Sequence, residues 1–182
     1  MLNFLENHDE QRLASDFFCG RPEGGYAALA VSLLLNTAPF MLYFGQEMGE
    51  RGMQAEGFSG LDGRTSIFDS CSVPALKEPD KAVQERYRKV LALAKKPAFA
   101  SGKTFDLCYC QGSGSFRKDQ HFAFLRSDGK SCFLVVANFG PAAQIEVYIP
   151  PESLDYLGIR FSRAECTANV PCRDFQVLDL AE

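Results

Sequence analysis

The sequence predicts an α/β segment of parallel strand–helix units over residues 1–98, followed by an all-β unit over residues 99–182. Three observations predict it. Two apolar runs, residues 1–5 and 40–44, give way at once to polar or glycine residues, as strands do when they deliver side chains to a loop at their C-terminal ends. Each run is followed by a stretch with helical spacing. Beyond Ala98 the period changes to short apolar runs separated by turn residues.

The first strand is read as residues 1–7, and a polar loop through Ser15 and Gly20 follows. Pro22 and Glu23 then open a helix, proline being favoured in the first turn and an acid complementing the positive end of the dipole. Tyr26, Leu29, Ala30, Leu33 and Leu34 keep helical spacing to about Thr37, but Ala27, Val31 and Leu35 fill other faces, so most of this helix must be covered. Residues 40–44, with Pro39 before and Gly45 after, read as a parallel strand buried on both faces. Residues 49–79 are rich in Gly, Ser, Asp and Pro and read as a functional or packed surface loop.

Asp80 is the expected cap of a second helix, with Val83, Tyr87, Val90, Leu91 and Ala94 as its apolar stripe and Lys95 and Lys96 at its negative end. Pro97 is expected to stop it. Five strands follow, near residues 104–109, 121–126, 132–138, 144–149 and 175–180, with Ser127-Asp128-Gly129-Lys130 as a hairpin turn. Short strands at this spacing argue for a small antiparallel sandwich, and about eighty residues fall in the range of domains that fold alone.

Composition excludes several classes. The 182 residues are 46% hydrophobic and 23% charged, with no apolar stretch long enough to cross a bilayer, so no membrane partner is expected. A formal net charge of −4 without a basic run makes nucleic acid an unsuitable partner. Met1 leads directly into a strand, without the pattern of a secretory leader. Cys19, Cys71, Cys108, Cys110, Cys132, Cys166 and Cys172 are odd in number and lack zinc-type spacing, so they are read as free thiols and favour a reducing cytoplasm.

The chemistry concentrates at Asn7-His8-Asp9, directly after the first strand, where parallel α/β barrels hold their reacting groups. Side chains alternate along a strand, so Asn7 and Asp9 share a side and Glu6 takes the other, which makes Asp9 the better pocket candidate. Residues 4–9, FLENHD, resemble a signature of the α-amylase family of glycoside hydrolases, an apolar strand closing in Asn-His-Asp. Residues 38–49, APFMLYFGQEMG, look like that family's Gly-x-Pro-x-x-Tyr-x-Gly-x-Glu strand, with Ala38 where a glycine is usual. Asp62-Gly63-Arg64-Thr65-Ser66-Ile67-Phe68-Asp69, a helix and a β-rich tail continue the family's order.

The resemblance implies a partial (β/α)8 TIM barrel, its last two βα units, followed by an antiparallel Greek-key β-sandwich. It implies that Asp9 is the third carboxylate, favouring a distorted, oxocarbenium-like sugar ring, and that His8 hydrogen-bonds the same sugar. The nucleophilic Asp and the acid/base Glu would come from upstream sequence, since a whole barrel takes about 250 residues. The implied partner is an α-glucan or oligosaccharide, and the isolated chain is expected to be inactive and to self-associate through unpaired strand edges. The alternative is a non-catalytic amylase-like or β-sandwich module with a carbohydrate-binding or structural role. The two differ in whether the upstream carboxylates exist.

Arg12 is read as either a sugar contact or an ion-pair partner. Glu47 is expected to hydrogen-bond neighbouring loops, His121 to be structural, and Gly112-Ser113-Gly114 to form a flexible turn. Asp62 and Asp69 read as solvated turn carboxylates, so no metal or other cofactor is expected here and calcium is left to a longer enzyme. With no Trp among 16 Phe and 6 Tyr, the tail is not expected to bind starch.

Overall fold

The computed structural model describes residues 1–52, 74–112, 114–160 and 164–180. Asp62, Asp69, Cys71 and Ser113, with the part of the expected loop from 53 to 73, lie outside these residues. β1 (Asn3–Phe4) is followed by a 3-10 turn, Pro22–Gly25, that runs into α1 (Tyr26–Leu34), and the chain returns as β2 (Phe40–Met41). The two strands are parallel, Asn3 opposite Phe40 and Phe4 opposite Met41. The Asn3 side chain donates to the Ser32 carbonyl at 3.0 Å, which ties β1 to α1.

Both strands are shorter than their apolar runs. After β2, the Gln46 amide closes a turn on the Tyr43 carbonyl at 3.0 Å, and Gly45 sits at φ 84, a left-handed angle that glycine adopts without penalty. Residues 40–43 are half-buried rather than covered on both faces, because among the described residues β2 pairs only with β1. The helix matches its pattern better: no residue from 26 to 35 is exposed, as the apolar groups on several faces require.

α2 (Lys81–Ala94) starts at Asp80, whose carboxylate accepts from the Ala82 and Val83 amides at 2.9 and 3.1 Å. Val83, Tyr87 and Val90 are its buried stripe, with Leu91 and Ala94 half-buried. Pro97 does more than end this helix: Lys96 is extended, and Pro97 is the first residue of α3 (Pro97–Ala100), where its missing N–H costs nothing.

The β part comprises β3 (Lys103–Asp106), β4 (His121–Ser127), β5 (Cys132–Asn138), β6 (Ala143–Tyr148), α4 (Pro151–Leu157), β7 (Glu165–Val170) and β8 (Phe175–Asp179). One antiparallel sheet has the order β3-β4-β5-β8 and another pairs β6 with β7. At the hairpin between β4 and β5 the Asp128 side chain accepts from the Lys130 and Ser131 amides, and Gly129 has φ 84. Cys108 and Cys110 belong to a turn after β3 rather than to a strand, and their thiols donate to the Ala123 and Leu107 carbonyls.

Strand alternation distributes the apolar side chains between two cores. Phe124, Phe133, Val135, Ala137 and Phe175 face α1, α2 and α3 in one cluster with Leu29, Leu34, Val83, Tyr87 and Phe99. Their sequence neighbours Ala123, Leu125, Leu134 and Val136 meet Ile145, Val147, Ala168 and Val170 in the other. The unbroken apolar run of β5 follows, since every residue of that strand is buried. β6 and β7 cover only one face, and their other side chains are exposed. The result is a layer of helices, a four-stranded sheet and a two-stranded sheet. At about 1.5–3 kcal/mol for each large aliphatic or aromatic side chain removed from water, the shared sheet is the main apolar link between the helices and the β strands. No helix among the described residues is long and apolar enough to cross a membrane.

Candidate functional site

Where the apolar run of β1 ends, Glu6 turns inward and is 1% exposed. Its carboxylate accepts from Arg12 Nη1 at 2.8 Å and from the Leu13 amide at 2.7 Å. Arg12 is itself fully buried, donates through Nη2 to the Phe44 carbonyl at 2.9 Å and lies 4.5 Å from the Tyr43 ring centroid. Of the two roles read for Arg12, the structure shows the ion pair, with the guanidinium buried against Glu6. Burial pushes the Glu6 carboxyl above its usual range, and Arg12 opposes that shift. The pair anchors the loop after β1 to the end of β2.

That anchor presents the next residues outward. Asn7 Oδ1 accepts from the Asp9 and Glu10 amides at 2.8 and 3.0 Å, a local turn that fixes the backbone under Asp9. The His8 and Asp9 side chains are 43% and 75% exposed, and His8 Nε2 lies 3.5 Å from Asp9 Oδ2. An exposed carboxylate beside an imidazole offers hydrogen-bond acceptors and a donor to a ligand. A proton donor held at raised pKa and a second carboxylate facing it, which glycosidic cleavage requires, are not supplied by this pair.

Glu47, expected to hydrogen-bond neighbouring loops, occupies a 3-10 turn, Gln46–Met48, where its Oε2 is buried without a hydrogen-bond partner among the described residues. Glu50 bonds to the chain on either side of residues 53–73, accepting from the Gly52 and Ala75 amides at 2.9 and 3.1 Å. Gln46 is buried and donates to the Tyr87 hydroxyl at 2.9 Å, joining the turn to α2. Sequence reasoning missed the Glu6–Arg12 pair, for which a spacing of six residues in a loop gives no signal.

His121 is buried at the start of β4, where its Nδ1 accepts from the Arg117 amide at 3.0 Å. Burial, with Arg117 nearby, depresses its pKa.

The chain has the fold of the C-terminal portion of an α-amylase-type glycoside hydrolase, two parallel strand–helix units succeeded by antiparallel sheets. Across 98% of its length it is similar to the native debranching enzyme of Nostoc punctiforme, with 20% identity, a TM-score of 0.62 and coverage of 35% of that chain. It is similar over the same share to the cyclic α-maltosyl-(1→6)-maltose hydrolase of Arthrobacter globiformis in complex with its cyclic saccharide, with 19% identity, a TM-score of 0.62 and 35% coverage. An α-amylase of H. orenii matches with 19% identity, a TM-score of 0.61 and 39% coverage. The chain thus spans between 33% and 40% of the length of these solved chains and their neighbours. No family model matches the sequence, and no curated protein does.

Proposed function

We propose that this chain is the C-terminal portion of an α-amylase-like retaining glycoside hydrolase acting on α-glucosidic bonds of starch, maltooligosaccharides or related α-glucans. In this reading β1 and β2 are the last two strands of a (β/α)8 barrel, and the antiparallel sheets form a Greek-key domain behind it. Asp9 is the third carboxylate, binding sugar hydroxyls and favouring the oxocarbenium-like ring, and His8 hydrogen-bonds the same sugar. The nucleophilic Asp and the acid/base Glu, about 5.5 Å apart in a retaining enzyme, are contributed by further sequence. Calcium, if used, also belongs to that longer protein.

The observation that carries the reading is the placement of His8 and Asp9, exposed on a locally fixed turn directly after β1, in a chain whose fold matches about a third of several glycoside hydrolases. Extending the reading frame upstream and expressing the longer polypeptide tests it. Hydrolysis of soluble starch is expected, with Asp9→Asn lowering kcat by about a hundredfold or more, the scale of losing one group that stabilises transition-state charge. A frame without the two carboxylates, or an Asp9→Asn enzyme with full activity and unchanged folding, would overturn it.

A further inference from the structure

Three aromatic rings on the β part form a surface cluster that the site after β1 does not use. Phe105, on β3, is half-buried and packs against the core between the two sheets. Its ring centroid lies 6.1 Å from that of Tyr109, in the following turn, and 5.9 Å from that of Tyr156, on α4. Tyr109 and Tyr156 are 59% and 53% exposed. Around them stand Lys103, whose Nζ donates to the Tyr156 carbonyl at 3.1 Å and lies 5.1 Å from its ring centroid, and Glu152, which accepts from the Tyr109 hydroxyl at 3.3 Å.

Large rings are normally withdrawn from water, and a contiguous exposed set marks a contact surface. Here the middle ring is anchored in the core and both outer rings are steadied by a polar neighbour, so little ordering remains to be done on binding. The flanking charges, the ammonium groups of Lys103 and Lys118 and the carboxylates of Glu152 and Asp106, balance each other and favour a neutral ligand over an ionic one. A neutral molecule with flat apolar C–H faces edged by hydroxyl groups fits this chemistry: its faces stack on the rings while Glu152, Lys103 and the phenol groups meet the hydroxyls.

We propose that Tyr109, Phe105 and Tyr156 form a second, non-catalytic binding platform for a neutral glucan chain. The choice of glucan rests on the proposed function, whereas the platform itself rests on the ring geometry. It departs from the expectation that the tail has no affinity for starch, because the core accounts for Phe105 only in part and leaves both tyrosines outside.

The test uses the 182-residue chain in native gels cast with and without amylopectin. The chain has no Trp, so titration with maltoheptaose can also be followed by tyrosine fluorescence. Amylopectin is expected to retard the chain, Tyr109→Ala and Tyr156→Ala each to weaken retardation tenfold or more, and Tyr156→Phe to restore it. Unchanged urea midpoints would show that the variants fold. Mobility unaffected by amylopectin would overturn the platform and leave the Asp9 reading standing, since that is judged by hydrolysis in the longer protein. Equal retardation of the wild type and a variant carrying both Tyr109→Ala and Tyr156→Ala would also overturn it, by placing the glucan elsewhere. So would a concentration-dependent mass that only the tyrosine variants abolish, which would make the cluster a protein contact.

Discussion

Arg126 Nη1 donates to the carbonyl of Leu35 at 2.8 Å across a separation of 91 residues. Leu35 is the C-terminal cap of α1, and the same guanidinium reaches the Ala98 and Phe99 carbonyls of α3 at 3.1 and 2.6 Å, the Gly102 carbonyl at 3.2 Å and the Thr104 hydroxyl at 2.8 Å. Arg126 is fully buried. Two helix C-termini, whose last carbonyls lack helical partners and carry partial negative charge, therefore receive this cation. Its fork joins the helical layer to the four-stranded sheet.

Arg126→Lys is expected to lower folding stability by about 3 kcal/mol, since an ammonium cannot serve five acceptors in the guanidinium plane and each lost bond is worth about 1 kcal/mol. Chemical denaturation monitored by circular dichroism measures the shift. A change below about 1 kcal/mol would show that the joint does not depend on the fork.

Residues 99–182 expressed alone are expected to lack a cooperative unfolding transition and to bind a surface-sensitive dye. Removing the helices uncovers Phe124, Phe133, Val135, Ala137 and Phe175 and takes from Arg126 the Leu35 and Ala98 carbonyls. A sharp thermal transition without dye binding would instead support independent folding, as the length of this segment suggests from sequence.

Acid is expected to destabilise the chain in a window set by His121. Burial holds its folded pKa below the usual 6.5 of an imidazole, so the unfolded state binds the proton more readily. The contribution of neutral His121 is complete above pH 6.5 and is lost as pH falls through 6.5 toward the folded pKa, where the proton on Nδ1 would face the Arg117 N–H. Thermal midpoints between pH 7.5 and 5 should decline for the wild type and stay flatter for His121→Gln. Equal slopes would assign the decline to other groups.

The whole chain is expected to self-associate. Among the described residues β1 and β2 pair only with each other, and Leu2, Phe4 and Phe44 stand exposed beside them. Light scattering after size exclusion should give a mass above the 20.1 kDa of one chain. A stable monomer that binds no dye would contradict this.

Much of the architecture was legible because the local signals were strong. Asp80 caps α2, Asp128-Gly129 turns the β4–β5 hairpin, and the apolar run of β5 gives its bounds without error. Three elements were not read, among them α3, because Pro97 serves equally to stop one helix and to start another. β7 alternates Cys166, Ala168 and Val170 with polar residues, and small side chains give too little contrast for a strand. α4 is one short helix between Pro151 and the left-handed Gly158, signals that a loop would also show. At the candidate site, His8 and Asp9 were visible in the motif, but the buried role of Arg12 was not, because it depends on Glu6 and on a carbonyl of Phe44, 32 residues away.

The turn under Asp9 is written in side chain-to-backbone bonds that span only two and three residues. The backbone under Asp9 is therefore set locally, while the Glu6–Arg12 pair and the distant Phe44 carbonyl set where that turn sits against the neighbouring strand. The loops around this turn could then vary in sequence without changing how the Asp9 backbone is held.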